Sequence, residues 1–400
     1  MTALPDYNAM SDAEFRRTAR TFVETNYPDI PRYSLSRLHW DEVKPWYMVL
    51  SEHGWICPTW PREHGGMGLN AGKHLILIEE FERYGAARVN DIGPVMLGPL
   101  LLKHGTEAQK AHFLPRILSG EDVWAQGYSE PGAGSDLAAV RCEAVLDGEE
   151  WVINGQKTWC TLGMDANWIF ILARTDKTVK KQAGISFLLV PMDAQGVTIR
   201  NIENLELEAE FCEVFFDDVR VPADHIVGRV NDGWSVAKAL LGHERVFIGA
   251  PRLSAAALSR LKLIAQRAGA WDDPVFRDRY VALQCDVLDL SDLFETYVDR
   301  LRDGREIGAD VAMLKIFQSE LYQRISELMM QVAEEDAGLR HAPEGDRQLH
   351  AAATYLSARP TTIFGGSTEI MRNVLAKAVL ELPSRLGPIN YSFDFLTHHV

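Results

Sequence analysis

Residues 127–137 read Gly127-Tyr128-Ser129-Glu130-Pro131-Gly132-Ala133-Gly134-Ser135-Asp136-Leu137, and this segment is the most diagnostic one in the sequence. Its glycines and small side chains allow backbone N–H groups to approach an anionic or electron-rich ligand closely. The pattern therefore predicts a ligand-binding loop. An ordinary turn rich in glycine and serine is the alternative.

The residues around this loop have the character of β-strands. Asp147-Gly148 separates two apolar segments, residues 144–146 and 151–153, which is typical of a hairpin because glycine tolerates a positive φ. The pattern continues in three further segments, residues 168–173, 184–190 and 213–216. We therefore expect a small central β domain at residues 121–230.

Helical periodicity lies on both sides of this block. Ser11 and Glu14 have capping-box spacing, and helical segments follow to residue 120, with a turn-rich interruption at residues 58–68. After residue 231, four long helical segments predict a bundle, at residues 234–270, 274–303, 308–334 and 346–383. The predicted fold class is α+β, with an N-terminal helical domain (1–120), the central β domain and a C-terminal four-helix bundle domain (231–400).

Composition restricts the class of partner. The chain has 41 basic and 56 acidic residues and a formal charge of -15, which disfavours nucleic acid and anionic membranes. No segment has the roughly twenty apolar residues that a membrane-spanning helix needs. The five cysteines are scattered and lack the paired spacing of a zinc site, so we predict a reduced intracellular protein without a metal site. The first residues do not resemble a targeting peptide, which predicts a cytoplasmic location.

Residues 127–137 resemble the Thr/Ser-Glu-Pro-x-Ala-Gly-Ser-Asp element of the acyl-CoA dehydrogenase family, and the likeness extends over nearly the whole chain. The resemblance implies FAD as the cofactor, bound by a loop that includes Tyr128 and Gly134. Ser129 would then face the pyrimidine edge of the flavin, and Ser135 would bind its pyrophosphate and contact the substrate. Donors at the pyrimidine edge stabilise the reduced anion and so favour hydride acceptance.

A second segment, Asn154-Gly155-Gln156-Lys157-Thr158-Trp159-Cys160-Thr161, resembles the family's Gly-x-Lys-x-Trp-Ile-Thr element. The resemblance implies that Trp159 packs near the isoalloxazine and that Thr161 hydrogen-bonds flavin N5. The alternative is a half-buried strand tryptophan with a solvated threonine neighbour. Two family elements in the expected order, with a hairpin between them, favour the flavin site.

The catalytic base is not in its most common place. Residues 363–367, Ile-Phe-Gly-Gly-Ser, resemble the family's Ile-Tyr-Glu-Gly-Thr, but Gly365 replaces the glutamate. Residues 240–249 resemble the Glu-Arg element at which some members hold the base, so the resemblance implies Glu244 as the base and Arg245 as its neighbour at the substrate. Apolar neighbours at helical spacing would raise the pKa of Glu244. An exposed or ion-paired helical glutamate is the alternative.

Gly365 keeps a role in this interpretation, because the family uses the backbone N–H at this position to bind the thioester carbonyl. A tight turn that prefers glycine is the alternative, and both can hold together. Ser367 and Glu369 align with positions that contact the flavin near its pyrophosphate.

Two family elements that reach a neighbouring subunit are altered. The Arg-x-x-Phe-Gly element is missing, and Arg277 or Arg279 is its nearest substitute. The Gln-x-x-Gly-Gly-x-Gly loop appears only as Gln331 followed by Glu335 and Asp336, whose charges would disfavour a diphosphate. The pattern resembles the branch that acts on steroid side chains, dicarboxylic or other atypical acyl-CoAs, in which paired, non-identical subunits can share flavin sites.

The resemblance implies conversion of a saturated acyl-CoA to the trans-2-enoyl-CoA, with electrons passing to an electron-transfer flavoprotein. It also implies a tetramer built on the C-terminal bundle, either a homotetramer or a heterotetramer with a paralogous subunit. One alternative is a flavin-dependent oxidase or monooxygenase of the same fold. Another is a non-catalytic structural subunit that stabilises an active paralogue.

Overall fold

The fold was analysed in a computed structural model, which describes residues 4–238 and 248–383. Five α-helices precede the sheet: α1 (Asp12–Asn26), α2 (Trp40–Glu52), α3 (Ala71–Tyr84), α4 (Gly98–His104) and α5 (Glu107–Ser119). The predicted capping box at the start of α1 is confirmed. The Glu14 N–H donates to Ser11 Oγ at 3.3 Å, and the Ser11 N–H donates to Glu14 Oε2 at 2.9 Å. One face of α1 packs into the N-terminal core through buried apolar side chains.

A π-helical turn, Ile92–Leu97, leads directly into α4 and packs against the predicted turn-rich segment. Trp60, from that segment, is 1% exposed, and its Nε1–H donates to the Pro94 carbonyl at 2.7 Å. The indole lies so close to the start of α4 that a Cβ added to Gly98 would be 1.8 Å from Trp60 Cζ2. Glycine is therefore required at this contact for steric reasons.

Seven strands form one curled sheet: β1 (Trp124–Gly127), β2 (Glu143–Asp147), β3 (Glu150–Thr161), β4 (Trp168–Arg174), β5 (Ile185–Pro191), β6 (Val197–Ile202) and β7 (Phe211–Pro222). The predicted hairpin is confirmed, since β2 and β3 pair antiparallel from Asp147 opposite Glu150, with Gly148 at a φ of 65°. The other predicted strand segments are also confirmed. Long antiparallel pairing of β3 with β7 and a parallel pair of β1 with β4 bring the diagnostic loop beside β3.

Five α-helices lie within residues 252–383: α6 (Arg252–Arg267), α7 (Pro274–Arg302), α8 (Ala312–Ala333), α9 (Ala351–Ala358) and α10 (Thr368–Ala378). They enclose a second apolar core that includes Leu261, Leu290 and Leu321, so the C-terminal part is a helical bundle. The helical fold on either side of a sheet confirms the predicted α+β class.

Two predicted helices are wrong in their continuity. The segment 234–270 is interrupted at residues 249–251, directly before α6 begins at Arg252. The segment 346–383 is broken after α9 by a 3-10 turn, Arg359–Thr362, that contains Pro360. The break continues to Gly365 and Gly366, whose φ angles are 65° and 90°. A left-handed backbone at two consecutive residues cannot continue a right-handed helix. The helical period on both sides is correct, but it belongs to two short helices.

Within residues 4–238 and 248–383, no helix has both the length and the apolar character needed to cross a membrane. The same residues contain no group of three or more His, Cys, Asp or Glu side chains arranged to hold a metal ion.

Candidate functional site

The two predicted flavin-binding segments lie side by side. The Thr158 N–H, on β3, donates to the Ser129 carbonyl at 2.9 Å. The Lys157 ammonium donates to the Tyr128 carbonyl at 3.3 Å. The loop that follows β1 is thus attached to the second half of β3, and residues separated by about thirty positions in the chain form one surface.

The loop is open on its outer side. Gly132 and Gly134 are exposed, and a Cβ added to either would meet no atom within 4 Å. Ala133, between them, is buried and exchanges backbone hydrogen bonds with Glu130 at 3.0 Å, which holds the turn in place. Ser135 is exposed at the end of the turn. The backbone N–H groups and the serine hydroxyl are therefore accessible to a ligand.

Trp159 projects from an irregularity in β3. The register of β3 against β7 shifts between Lys157 and Cys160, and Trp159 has a φ of 60°, which costs a non-glycine residue about 1–3 kcal/mol. Its indole is 59% exposed and meets the Phe211 ring edge-on, with the centroids 6.1 Å apart. Thr161 follows, partly exposed, opposite Phe211 in the ladder. The strained turn presents a flat apolar surface beside the open loop.

This combination fits FAD. An exposed indole offers a stacking or edge surface to a flat ring system, and the glycine-lined turn offers backbone donors to a phosphate or to a ring edge. Tyr128 contributes differently from its neighbours, because its ring is buried at 5.7 Å from the Phe170 ring. Its side chain belongs to the core, and only its main chain lies at the loop.

The Gly365–Gly366 turn, between α9 and α10, is the segment predicted to bind the thioester carbonyl. Gly365 is exposed, and a Cβ added to it would be 3.0 Å from Ile248 Cδ1. Ser367 is the N-cap of α10, and its Oγ accepts from the Ile370 N–H at 3.3 Å. A hydrogen bond from its own backbone N–H and another from Ser367 lower the pKa of Glu369. Ser367 therefore caps α10 directly after the two glycines, and Gly365 is exposed.

The predicted base, Glu244, and its neighbour Arg245 lie outside the described residues. The segment that carries them resumes at Ile248, which contacts the Gly365 turn. Glu244 is four positions earlier in the sequence than this contact. The structure therefore brings the end of the Glu244 segment to Gly365.

The two residues expected to reach a neighbouring subunit are elsewhere. Arg277 is exposed in the first turn of α7, and Gln331 is exposed near the end of α8. Neither forms a hydrogen bond or an ion pair with the loop or with β3 in the part of the chain that the structure describes. After Gln331 the chain forms an acidic 3-10 turn, Glu334–Gly338. In this turn Asp336 Oδ2 lies 3.5 Å from Arg267 Nε.

A carboxyl-rich loop between β6 and β7 borders the site. It is attached there by the Leu162 N–H, which donates to the Glu210 carbonyl at 2.8 Å, and by Phe211, which contacts Trp159. Burial raises the pKa of Glu206 to about 7, and the nearby Glu210 and Glu208 carboxylates add to the shift. Burial also raises the pKa of Glu210, against the opposing effect of Arg37.

The raised pKa of Glu206 predicts a pH-dependent effect of Glu206→Gln on stability. Because the folded state holds this proton more tightly than the unfolded state, wild-type stability falls as pH rises from about 4.5 to about 7. The variant lacks this loss. Between pH 5 and pH 8 we expect the free energy of unfolding of the variant to rise by on the order of 1 kcal/mol relative to that of the wild type. This value is reduced for partial solvent screening.

Urea unfolding at pH 5 and pH 8 measures the difference. Glu208→Gln is the matched control, because Glu208 is exposed on the same loop. If Glu206→Gln changes stability equally at both pH values, the proton on Glu206 is not linked to folding.

Comparisons with known proteins identify the class of protein to which this fold belongs. Three domains of the acyl-CoA dehydrogenase family match this chain in order: the N-terminal domain at residues 11–121, the middle domain at 125–219 and the C-terminal domain at 231–380. The chain is also similar to acyl-CoA dehydrogenase IpdE1 of Mycobacterium tuberculosis, with 41% identity over 86% of this chain and 89% of the relative.

The chain belongs to the acyl-CoA dehydrogenase family and is an oxidoreductase of that kind. Among solved structures, the Tcur3481–Tcur3483 steroid acyl-CoA dehydrogenase has a TM-score of 0.85 at 27% identity, covering 93% of this chain and 97% of that one. The ChsE4–ChsE5 complex from Mycobacterium tuberculosis has a TM-score of 0.80 at 28% identity, covering 94% and 98%. The predicted family and its steroid-related branch are confirmed.

Lys157 is fully buried and its Nζ lies 2.7 Å from Glu130 Oε1, an ion pair that the sequence analysis did not predict although a signal was available. In β3, Trp151 and Ile153 point inward, and alternation places Lys157 on the same face. A lysine on an inward face requires an acceptor or a counter-charge. Glu130, in the neighbouring loop, was the acidic residue to consider as its partner.

Proposed function

We propose that this chain catalyses α,β-dehydrogenation of an acyl-CoA thioester to the trans-2-enoyl-CoA. The observation that carries the proposal is the open glycine loop held beside the exposed Trp159, with the Gly365 turn at the end of the Glu244 segment. The family membership supports the same chemistry. Bound FAD would accept the hydride that leaves the substrate β-carbon.

The roles of individual residues follow from what each can offer. Ser129 and the backbone around Gly134 would bind the flavin edge and phosphates, while Ser135 would lie between the cofactor and the CoA. Trp159 and Thr161 would contact the ring system, with Thr161 as donor to N5. Such donors favour hydride acceptance, because they stabilise charge that develops on the ring.

At the substrate, Glu244 would remove the α-proton, and one well-placed carboxylate is sufficient for this step. The Gly365 N–H would donate to the thioester carbonyl, on which negative charge develops as the proton leaves. Its replacement of a glutamate does not remove that donor. Arg245 would be the substrate contact next to the base, and Ser367 and Glu369 would lie near the flavin pyrophosphate.

The test is anaerobic reduction of the purified yellow protein by acyl-CoA. A bleached flavin spectrum and the appearance of the 2-enoyl-CoA are expected. Linear, branched and ring-bearing acyl-CoAs should be compared, since the relatives titled as steroid enzymes suggest a bulky substrate. Rapid reoxidation by oxygen after reduction would instead support the oxidase or monooxygenase alternative. A protein that neither binds FAD nor is bleached would contradict catalysis by this chain.

We also propose a heterotetramer in which a paralogous subunit completes the adenosine half of the flavin site. Its support is the acidic turn after Gln331, where Glu334, Glu335 and Asp336 would repel a diphosphate. The two-component titles of the Tcur3481–Tcur3483 and ChsE4–ChsE5 structures are consistent with it. An electron-transfer flavoprotein is the proposed electron acceptor. The heterotetramer would be supported if the chain alone binds less than one FAD per protomer and binds more when the paralogue is coexpressed. One FAD per protomer in the chain alone would support a homotetramer.

A further inference from the structure

Lys157 is a fully buried cation behind the surface formed by the two candidate flavin segments. Its side chain is 0% exposed, and its Nζ donates to three acceptors. These are Glu130 Oε1 at 2.7 Å, the Leu172 carbonyl at 2.6 Å and the Tyr128 carbonyl at 3.3 Å. An ammonium has three N–H donors, so the hydrogen-bonding capacity of this group is fully used.

Both carboxylate oxygens of Glu130 also accept hydrogen bonds. It is 8% exposed, and besides Lys157 its Oε1 accepts from the Cys142 N–H at 3.0 Å. Its Oε2 accepts from the Arg141 N–H at 2.7 Å. The ion pair is therefore compensated in both charge and hydrogen bonds, which is the condition under which a buried pair persists. Together the two side chains join the loop after β1, the start of β2, and strands β3 and β4.

The pair lies between the two segments proposed to contact flavin. Ser129 stands between Tyr128 and Glu130, both of which are bonded to Lys157. On the other side, Trp159 is two residues beyond Lys157, and the Thr158 N–H binds the Ser129 carbonyl. Lys157 and its acceptors therefore join the residues on both sides of Ser129 to the strand that carries the Trp159 turn.

We propose that Lys157 and Glu130 are positioning residues, which hold Ser129 against the Trp159–Thr161 turn and so set the affinity and reduction potential of the bound flavin. The inference deepens the proposed function and rests on it. Neither side chain reaches the ligand surface, since both are buried. Their effect on the reaction is carried by the main chain of the loop and of β3.

The test compares Lys157→Met with Lys73→Met in the flavin-loaded protein. Lys73 is a matched buried lysine, 4% exposed, whose Nζ donates to Asp12 Oδ1 at 2.6 Å and to the Met10 carbonyl at 2.7 Å, within the N-terminal helices. Both variants lose the hydrogen bonds and the ion pair of a buried lysine and should be less stable, although Asp12, unlike Glu130, is exposed. Only Lys157→Met should bind FAD more weakly, by about tenfold or more, and have a shifted flavin reduction potential and visible spectrum. In this variant the flavin should be reduced about 10²-fold more slowly by the substrate, as expected when reacting groups are misplaced.

Glu130→Gln is the second variant if Lys157→Met does not fold. It keeps the shape and an acceptor for Lys157 but loses the charge, and its flavin potential should move in the same direction by less. Wild-type protein that binds flavin and is bleached, with Lys157→Met or Glu130→Gln unchanged in potential, spectrum and rate, would overturn the positioning role alone. Wild-type protein without bound flavin, both alone and when coexpressed with the paralogue, would overturn the proposed function and this inference together.

Discussion

Glu244→Gln is expected to bind an acyl-CoA and FAD but to lose about 10²–10⁴-fold in the rate of flavin reduction, the usual contribution of a general base. Glutamine has nearly the shape of glutamate but cannot accept the α-proton. Gly365 leaves no carboxylate at the other family position, so no second base is available there. The measurement is anaerobic stopped-flow reduction, followed as the loss of the visible absorbance of the oxidised flavin.

The control is Glu206→Gln, because Glu206 is a partly buried carboxyl group on the loop beside Trp159. This variant should be reduced at the wild-type rate. If flavin reduction is lost in Glu206→Gln but normal in Glu244→Gln, the catalytic base is not Glu244 and must be sought in the loop between β6 and β7.

Gly98→Ala is expected to destabilise the N-terminal helices by about 3 kcal/mol or more, at the upper end for an overpacked core. The added methyl would be 1.8 Å from Trp60 Cζ2. The indole cannot easily move aside, because it is buried and its N–H is bonded to the Pro94 carbonyl. The better helix propensity of alanine, about 1 kcal/mol, does not offset this clash. Thermal or urea unfolding measures the loss.

Gly338→Ala is its control, since a Cβ at Gly338 would meet no atom within 4 Å. Its stability should stay within about 0.5 kcal/mol of wild type. Equal stabilities for Gly98→Ala and Gly338→Ala would show that Trp60 relaxes without cost and would remove the steric explanation for glycine at the start of α4.

Features with local causes were predictable from sequence. The Ser11–Glu14 capping box and the Asp147-Gly148 hairpin are determined by residues three to six positions apart, and the structure contains both. The single helix over 346–383 was predicted because helical periodicity runs on both sides of the break. Pro360 and the pair Gly365-Gly366 indicate a break in the helix. Their backbone preferences outweigh the helical spacing of the apolar residues around them.

The site was predictable in its residues more than in its geometry. The loop around Ser129 and the strand residue Trp159 could be selected from their family elements. The positive φ of Trp159 could not be predicted from the sequence. It arises where β3 changes register against β7, a strand about fifty residues later in the chain. Pairing of this kind depends on the assembled sheet. Tyr128 illustrates the same limit, since its burial depends on Phe170 in β4.

The Lys157–Glu130 pair also has a consequence for the order of folding. Glu130 and Lys157 are 27 residues apart, and Lys157 and Leu172 are 15 apart, so these bonds form only after β1, β3 and β4 have assembled. Before that stage the two flavin segments have no fixed separation. Cofactor capture would therefore follow sheet formation, and FAD, by binding only the completed sheet, would draw the folding equilibrium toward it.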